Sequence, residues 1–73
     1  MRIRITGFES RGAFINSISS TGSVNTMNDV LAWYKDKIGD VYQVSGERSG
    51  TLYVIEGLGR FATVDKADAA VIE

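Results

Sequence analysis

Apolar and polar side chains alternate along the first six residues with a period of two. The apolar positions are Met1, Ile3 and Ile5, and the positions between them are Arg2, Arg4 and Thr6. A period of two sends successive side chains to opposite faces of a strand. We therefore expect a strand with one face in the core and a basic face in solvent, ending at Gly7.

Residues 10–20 have two interpretations. Phe14, Ile15 and Ile18 would share one face of a short helix. A strand that returns from a turn at 11–12 accommodates Phe14 and Ile18 as well. We favour the strand, which would form an opening hairpin with the first one.

The apolar spacing after a Ser- and Gly-rich linker at 19–23 predicts a helix over 27–38. Its stripe recurs every three or four residues and consists of Met27, Val30, Leu31, Tyr34 and Ile38. Thr26 is a suitable N-cap, and Gly39 is suited to the position just after the last turn. This is the main helix that the sequence predicts.

The rest of the chain returns to a period of two. Strands are predicted at 41–45, 51–55 and 60–64, with turns at 46–50, 57–59 and 65–68. Residues 69–72 suit either a last short strand or a helical turn. The predicted fold class is α+β: one compact domain over 1–73, in which a small antiparallel sheet of four or five strands carries one main helix on one face.

Composition excludes several kinds of chemistry. The 73 residues include no Cys, His or Pro, and 8 Lys and Arg stand against 9 Asp and Glu. Disulfides, ordinary zinc, haem and iron–sulfur sites, and Ser-His-Asp or Cys-His catalysis are therefore unavailable to this chain alone. A net charge of -1 also argues against binding nucleic acid through bulk positive charge. The apolar runs are too short for a membrane span or a signal peptide, so we expect a soluble, cytoplasmic protein.

No motif for catalysis or cofactor binding stands out. The carboxylates are scattered, and only Asp65 and Asp68 form a local pair, which we interpret as solvated surface charge. The glycines around Leu58 lack the third glycine and the following helix of a dinucleotide loop, so we interpret 57–59 as a turn. We expect no enzyme activity, no cofactor and no metal.

Arginines and aromatic residues could form a nucleic-acid-binding face. The arginines of this alternative are Arg2, Arg4, Arg48 and Arg60, and its aromatic residues are Tyr42, Tyr53 and Phe61. Aromatic rings next to guanidinium groups stack unpaired bases of RNA or single-stranded DNA. Strand aromatics more often pack in cores, and charged edge strands more often only discourage aggregation.

A protein-binding role needs no special chemistry. Its provisional contact residues are Trp33, Arg48 and Arg60, because Trp and Arg are enriched among residues that dominate interface energetics. Trp33 lies about 100° from the main helix stripe, so it either widens the buried face or protrudes as an anchor; for so small a core, we favour burial.

In size, lack of cysteine, α+β layout and lack of an enzymatic signature, the chain resembles small phage or mobile-element proteins that inhibit bacterial defence complexes, anti-CRISPR proteins among them. The resemblance covers format only, and no functional residue is carried over. We expect a non-catalytic module that blocks a larger protein or nucleoprotein complex. The alternatives are the nucleic-acid-binding sheet and a structural or self-assembling subunit.

Overall fold

The computed structural model of the protein describes residues 1–19, 30–59 and 61–73, and the structural statements below concern these residues. Its elements, in chain order, are strand β1 (Arg2–Ile5), helix α1 (Glu9–Ser19), strands β2 (Val41–Arg48), β3 (Leu52–Ile55) and β4 (Thr63–Asp65), a 3-10 helix (Lys66–Asp68) and strand β5 (Ala69–Val71).

The strands form one antiparallel sheet in the order β4-β3-β2-β1-β5. The α+β class is therefore confirmed, and a strand lies at each of the four places where alternation predicts one. Two of the predicted bounds are wrong: β2 continues to Arg48, into the predicted turn at 46–50, and residues 61–62 of the predicted 60–64 strand precede β4. The predicted turn at 65–68 is occupied mainly by the 3-10 helix. Of the two alternatives for residues 69–72, a strand or a helical turn, the structure shows the strand, β5.

The sheet curls so that its two edge strands approach each other. In a flat sheet, β4 and β5 would lie four strand spacings apart, or roughly 19 Å. Only the three residues of the 3-10 helix connect them, and four Cα–Cα steps span at most about 14 Å. A register shift in β2 between Val44 and Gly46 marks a bulge, and bulges bend a strand and increase its twist.

The core lies on the concave side of this curled sheet. Seven residues form it, and the strands supply most of them: Ile3, Ile5, Tyr34, Val44, Ile55, Ala62 and Val64. In β1, Arg2 and Arg4 point to the opposite, solvent-exposed face, as the alternation predicts.

The strand favoured for 10–20 is wrong, because residues 10–19 belong to α1 and residue 20 lies outside the described part of the chain. Its first turn is held by the buried carboxylate of Asp68, a residue far away in the sequence. Phe14 remains exposed and Arg11 is buried in its place. The apolar pattern therefore misleads, because polar contacts with Asp68, rather than burial of an apolar stripe, hold this helix against the rest of the molecule.

The helix predicted over 27–38 is also corrected. Residues 27–29 lie outside the described part of the chain, as does the predicted linker beyond Ser19. Val30 and Leu31 are helical, but 32–36 form turns in which Lys35 N donates to Ala32 O. The predicted stripe ends early, because Ile38 is exposed.

The turns bring two neighbouring rings to one strand. Trp33 and Tyr34 both hydrogen-bond to β4. Adjacent side chains on an α-helix diverge by about 100°, so a continuous helix would not present both rings to one strand in this way.

Candidate functional site

Asp68 organises the polar interior of the molecule. Its Oδ1 accepts from the backbone N–H of Ser10 at 3.0 Å, and its Oδ2 accepts from that of Arg11 at 3.0 Å. The Tyr34 hydroxyl donates to the same Oδ2 at 2.5 Å. A carboxylate at a helix N-terminus satisfies N–H groups that have no partner within the helix. Asp68 thus caps α1 and also holds Tyr34.

Arg11 links the same region to β4. Its side chain is 3% exposed, its Nη1 donates to Leu31 O at 3.1 Å, and its Nη2 donates to Thr63 Oγ1 at 3.2 Å. The guanidinium lies 5.4 Å from the centre of the Tyr34 ring. Arg11 therefore holds the segment around Leu31 against the sheet, which positions the neighbouring Trp33.

The environment of Tyr34 keeps its hydroxyl protonated. Burial raises the pKa of Tyr34 above its ordinary value of 10.0, and the hydrogen bond to Asp68 raises it further, whereas the positive charge of Arg11 opposes the shift. At neutral pH this hydroxyl is a fixed donor to Asp68 rather than a group poised for proton transfer.

Trp33 and Tyr34 occupy the outer edge of β4. Ile55 N donates to Ala62 O across the β3–β4 ladder, so the alternating pattern turns the main-chain groups of Thr63 and Asp65 away from β3. The Trp33 indole N–H donates to Thr63 O at 2.8 Å, and Asp65 N donates to the Tyr34 hydroxyl at 3.4 Å. Two side chains thus satisfy edge groups that another strand would otherwise bind.

An apolar surface surrounds Trp33, and we call it the Trp33 patch. It forms a shallow depression of about 320 Å³ lined by Val30, Trp33, Leu58, Phe61 and Ala62. Phe61 is 56% exposed, Leu58 53% and Val30 40%. Trp33 is half-buried between them and packs edge-on against the rings of Tyr34 and Tyr42. The patch therefore combines exposed apolar side chains with a central ring that the fold already holds in place.

Two glycines present Leu58 on a tight loop. Gly57 and Gly59 have φ of 85° and 91°, a left-handed region that other residues seldom adopt. The loop turns back at Ala62, whose N–H donates to Gly59 O at 3.2 Å. The expected turn at 57–59 is present, and it places a large apolar side chain at the surface.

Two of the three provisional contact residues, Trp33 and Arg48, lie apart in the structure. Trp33 lies at the centre of the patch. Arg48 is exposed at the end of β2, paired with Leu52 at the start of β3, whereas the patch residues Leu58 and Phe61 follow the opposite end of β3. Arg60 lies outside the described residues. Arg48 and Trp33 therefore do not belong to one surface.

The residues of the nucleic-acid alternative do not form a common face either. Arg2 and Arg4 project from the outer face of the sheet. Tyr42 is paired with buried Ile3, and both Tyr42 and Tyr53 pack against the core from its inner side. The sheet thus separates these tyrosines from the β1 arginines.

Asp65 and Asp68, the one local carboxylate pair, have structural roles. The Asp65 side chain accepts from Ala67 N at 2.9 Å and caps the 3-10 helix, while Asp68 caps α1. Asp68 is buried, so its interpretation as solvated surface charge is wrong. Nowhere in the described ranges do three or more carboxylates converge on a potential metal site.

Sequence reasoning did not identify Val30, Leu58 and Phe61 as one surface. Leu58 offered a signal, because a large apolar residue between two turn-forming glycines has little chance of burial. Val30 offered none, because it belongs to the predicted buried stripe.

Comparison with known proteins gives no match: no protein family model matches the chain, and neither a curated protein nor a solved structure is detectably similar to it. Any functional assignment must therefore be argued from the contacts described above. Within 1–19, 30–59 and 61–73, no helix is both long and apolar enough to cross a membrane.

Proposed function

We propose that this protein is a non-catalytic binding module of the cytoplasm that attaches to a larger protein or nucleoprotein complex through the Trp33 patch. The observation that supports it is the exposure of Val30, Leu58 and Phe61 around a half-buried Trp33. Contiguous apolar surface rimmed by polar residues is typical of interaction sites.

The fixed position of Trp33 favours binding energetically. Its indole N–H is already bonded to Thr63 O, so a partner that covers the ring does not leave this N–H unsatisfied. Preorganised side chains also lose little conformational freedom on binding. Complete burial of a Leu or Phe side chain contributes about 1.5–3 kcal/mol. Burial of Leu58 and Phe61 by the partner would therefore supply much of the binding free energy.

A finer form of the proposal makes the partner a bacterial defence complex, which the module would inhibit by occupying a functional surface. Only the small size, the α+β fold and the lack of an enzymatic signature support this finer proposal. Identification of the partner would test it. The nucleic-acid alternative has less support, because the β1 arginines and the sheet tyrosines lie on opposite faces.

Affinity capture with three immobilised proteins tests the proposal. The baits are the wild type, Leu58→Ser in the patch, and Ile38→Ser as a control that removes an equally exposed apolar side chain elsewhere (53% and 56% exposed). Bacterial lysate treated with nuclease is passed over each bait, and bound proteins are identified by mass spectrometry. We expect one stoichiometric partner on the wild type and on Ile38→Ser, and its loss on Leu58→Ser.

Equal capture by all three baits would show that the partner uses another surface. Nucleic acid recovered without nuclease and released at raised salt would instead support the nucleic-acid alternative, because phosphate contacts weaken steeply with salt. Circular dichroism of each bait before immobilisation confirms that the variants are folded.

A further inference from the structure

Strand β5 presents main-chain groups to the edge of the sheet. In the β1–β5 ladder, Thr6 N donates to Asp68 O at 2.8 Å and Ile72 N donates to Arg2 O at 3.0 Å. Antiparallel ladders alternate between bonded and non-bonded pairs. Val71 lies opposite Ile3 in a non-bonded pair, so its N–H and C=O point away from β1.

The two edges of the sheet differ in what occupies them. Trp33 and Tyr34 hydrogen-bond to the outward groups of β4. At β5, the N–H of Ala69 is bonded to Lys66 O, but within the described part of the chain no group hydrogen-bonds to the N–H or C=O of Val71. Among the described residues, the β5 edge is therefore open and the β4 edge is closed.

The open edge also lacks the usual protection against pairing. Natural edge strands carry charged residues, proline or bulges, whereas residues 69–72 are Ala, Ala, Val and Ile. Val71 is 53% exposed and Ile72 38%. The nearest charged residue along the strand, Glu73, is already paired with Arg2 at 2.6 Å. Two copies of this edge can thus approach without like-charge repulsion.

We propose that β5 pairs antiparallel with β5 of a second copy of this chain, so that the two sheets join across a two-fold axis at Val71. In that register each Val71 N–H donates to the Val71 C=O of the other copy, and the free C=O of Ala69 accepts from Glu73 N–H. The register leaves the Ala69 N–H with its internal partner. It also places the exposed Val71 side chains of both copies against each other.

A second copy fits this edge better than a charged peptide does. The edge offers only backbone groups and apolar side chains, so it provides nothing to select a charged partner. A chain of this size buries only about 60% of its unfolded surface on its own, a lower share than larger domains bury, and the dimer covers further apolar surface at β5. The Trp33 patch lies on other segments and stays available to the partner of the proposed function.

The test measures mass and amide protection across a dilution series. Analytical ultracentrifugation of the wild type is expected to give twice the chain mass of 7.9 kDa at high concentration and the monomer on dilution. Hydrogen exchange followed by NMR is expected to show that the Val71 amide is protected only in the dimer. The Ala70 amide, which faces β1, should be protected in both states.

Two substitutions of Val71 separate the contribution of its backbone N–H to dimerisation from that of its side chain. Val71→Pro removes the outward N–H, which edge strands tolerate, whereas Val71→Thr keeps the N–H and a β-branched side chain. We expect Val71→Pro to raise the dimer dissociation constant roughly tenfold or more, since a dimer loses two hydrogen bonds. Val71→Thr should dimerise nearly as the wild type does. Val71→Lys provides a second disruptive variant if the proline variant does not fold.

A wild type that stays monomeric at every concentration overturns the proposal. The proposal is also overturned if Val71→Pro and Val71→Lys both fold and dimerise as the wild type does, because such a dimer must use another surface. Leu58→Ser should not affect dimerisation. Dimerisation and partner capture therefore succeed or fail independently of each other.

Discussion

Single polar residues hold together parts of the chain that lie far apart in sequence. Asp68 accepts hydrogen bonds from the first turn of α1 and from Tyr34, and Arg11 bonds to Leu31 and Thr63. A buried charge is costly unless its hydrogen bonds are made. These two residues therefore link distant segments of the chain, and their replacement should destabilise the fold as a whole rather than only their own surroundings.

Replacement of Asp68 should destabilise the whole protein. Asp68→Asn removes the charge and turns one acceptor oxygen into a donor, so at least one of the three contacts of the carboxylate is lost. We expect the free energy of unfolding to fall by about 2 kcal/mol, measured by urea denaturation. Exposed Asp36 provides the matched control, and Asp36→Asn should change stability by less than about 0.5 kcal/mol. Similar effects of the two substitutions would contradict the role assigned to Asp68.

Tyr34 should make stability depend on pH in the alkaline range. Because burial raises its pKa above the ordinary 10.0, the folded state retains this proton where the unfolded state loses it. Its contribution is fully present below about pH 10 and is lost as the pH rises further. Urea denaturation at increasing alkaline pH should show a shallower decline for Tyr34→Phe than for the wild type.

Tyr53→Phe serves as the control for Tyr34→Phe, since it removes another tyrosine hydroxyl and leaves the one bonded to Asp68 in place. The free energy of unfolding of Tyr53→Phe should decline with rising pH as that of the wild type does. Parallel curves for the wild type and Tyr34→Phe would show that Tyr34 does not control the alkaline loss.

At the scale of elements, contacts between segments decide where helices and turns lie. Helix α1 begins where Asp68 of the 3-10 helix caps it. The helical turn at Val30 and Leu31 gives way to turns where Trp33 and Tyr34 bond to β4. The turn before β2 is completed by Gly39, whose N–H donates to Ile5 O at 2.7 Å.

Gly39 should be difficult to replace for conformational reasons alone. Its φ is 94°, and an added Cβ would meet no atom within 4 Å. Gly39→Ala should therefore cost about 1–2 kcal/mol through backbone strain. At Gly46 an added Cβ also meets nothing, but φ lies outside the left-handed region, so Gly46→Ala should leave stability unchanged or slightly higher. Thermal denaturation of both variants tests this difference, and equal losses would refute it.

At the scale of the whole molecule, a small core supports a curled sheet. The 3-10 helix draws β4 and β5 together, and the rings of Trp33 and Tyr34 lie along the edge of β4. The β4 edge is thus closed, and in the part of the chain that the structure describes the β5 edge stays open. The same arrangement exposes the Trp33 patch, in which Val30, Leu58 and Phe61 lie outside the core and surround Trp33 and the core residue Ala62.

A single truncation in the core should remove a large part of the stability. Ile55 is 2% exposed, and Ile55→Ala should cost about 2–5 kcal/mol, whereas a domain of this length has roughly 4–11 kcal/mol in total. Ile38→Ala removes the same atoms from an exposed position and should cost less than about 0.5 kcal/mol. Comparable losses for both would mean that the core lies elsewhere.

The amino-acid sequence by itself determined the strands and the α+β class. Alternation in residues such as Ile3 and Ile5 is a local signal, because a strand shows one face to the core at every second position. The lack of Cys and His likewise limits the chemistry of this chain without any knowledge of its fold.

Only the tertiary structure decided the helices and the surfaces. Asp68 caps a helix that begins 59 positions earlier (68 − 9), and Trp33 bonds to Thr63, 30 positions later. No local pattern contains such pairs, so alternation favours a strand where α1 forms, and the apolar stripe predicts a helix that continues past Leu31. The Trp33 patch and the open β5 edge exist for the same reason: which apolar side chains and backbone groups stay exposed depends on how distant segments pack together.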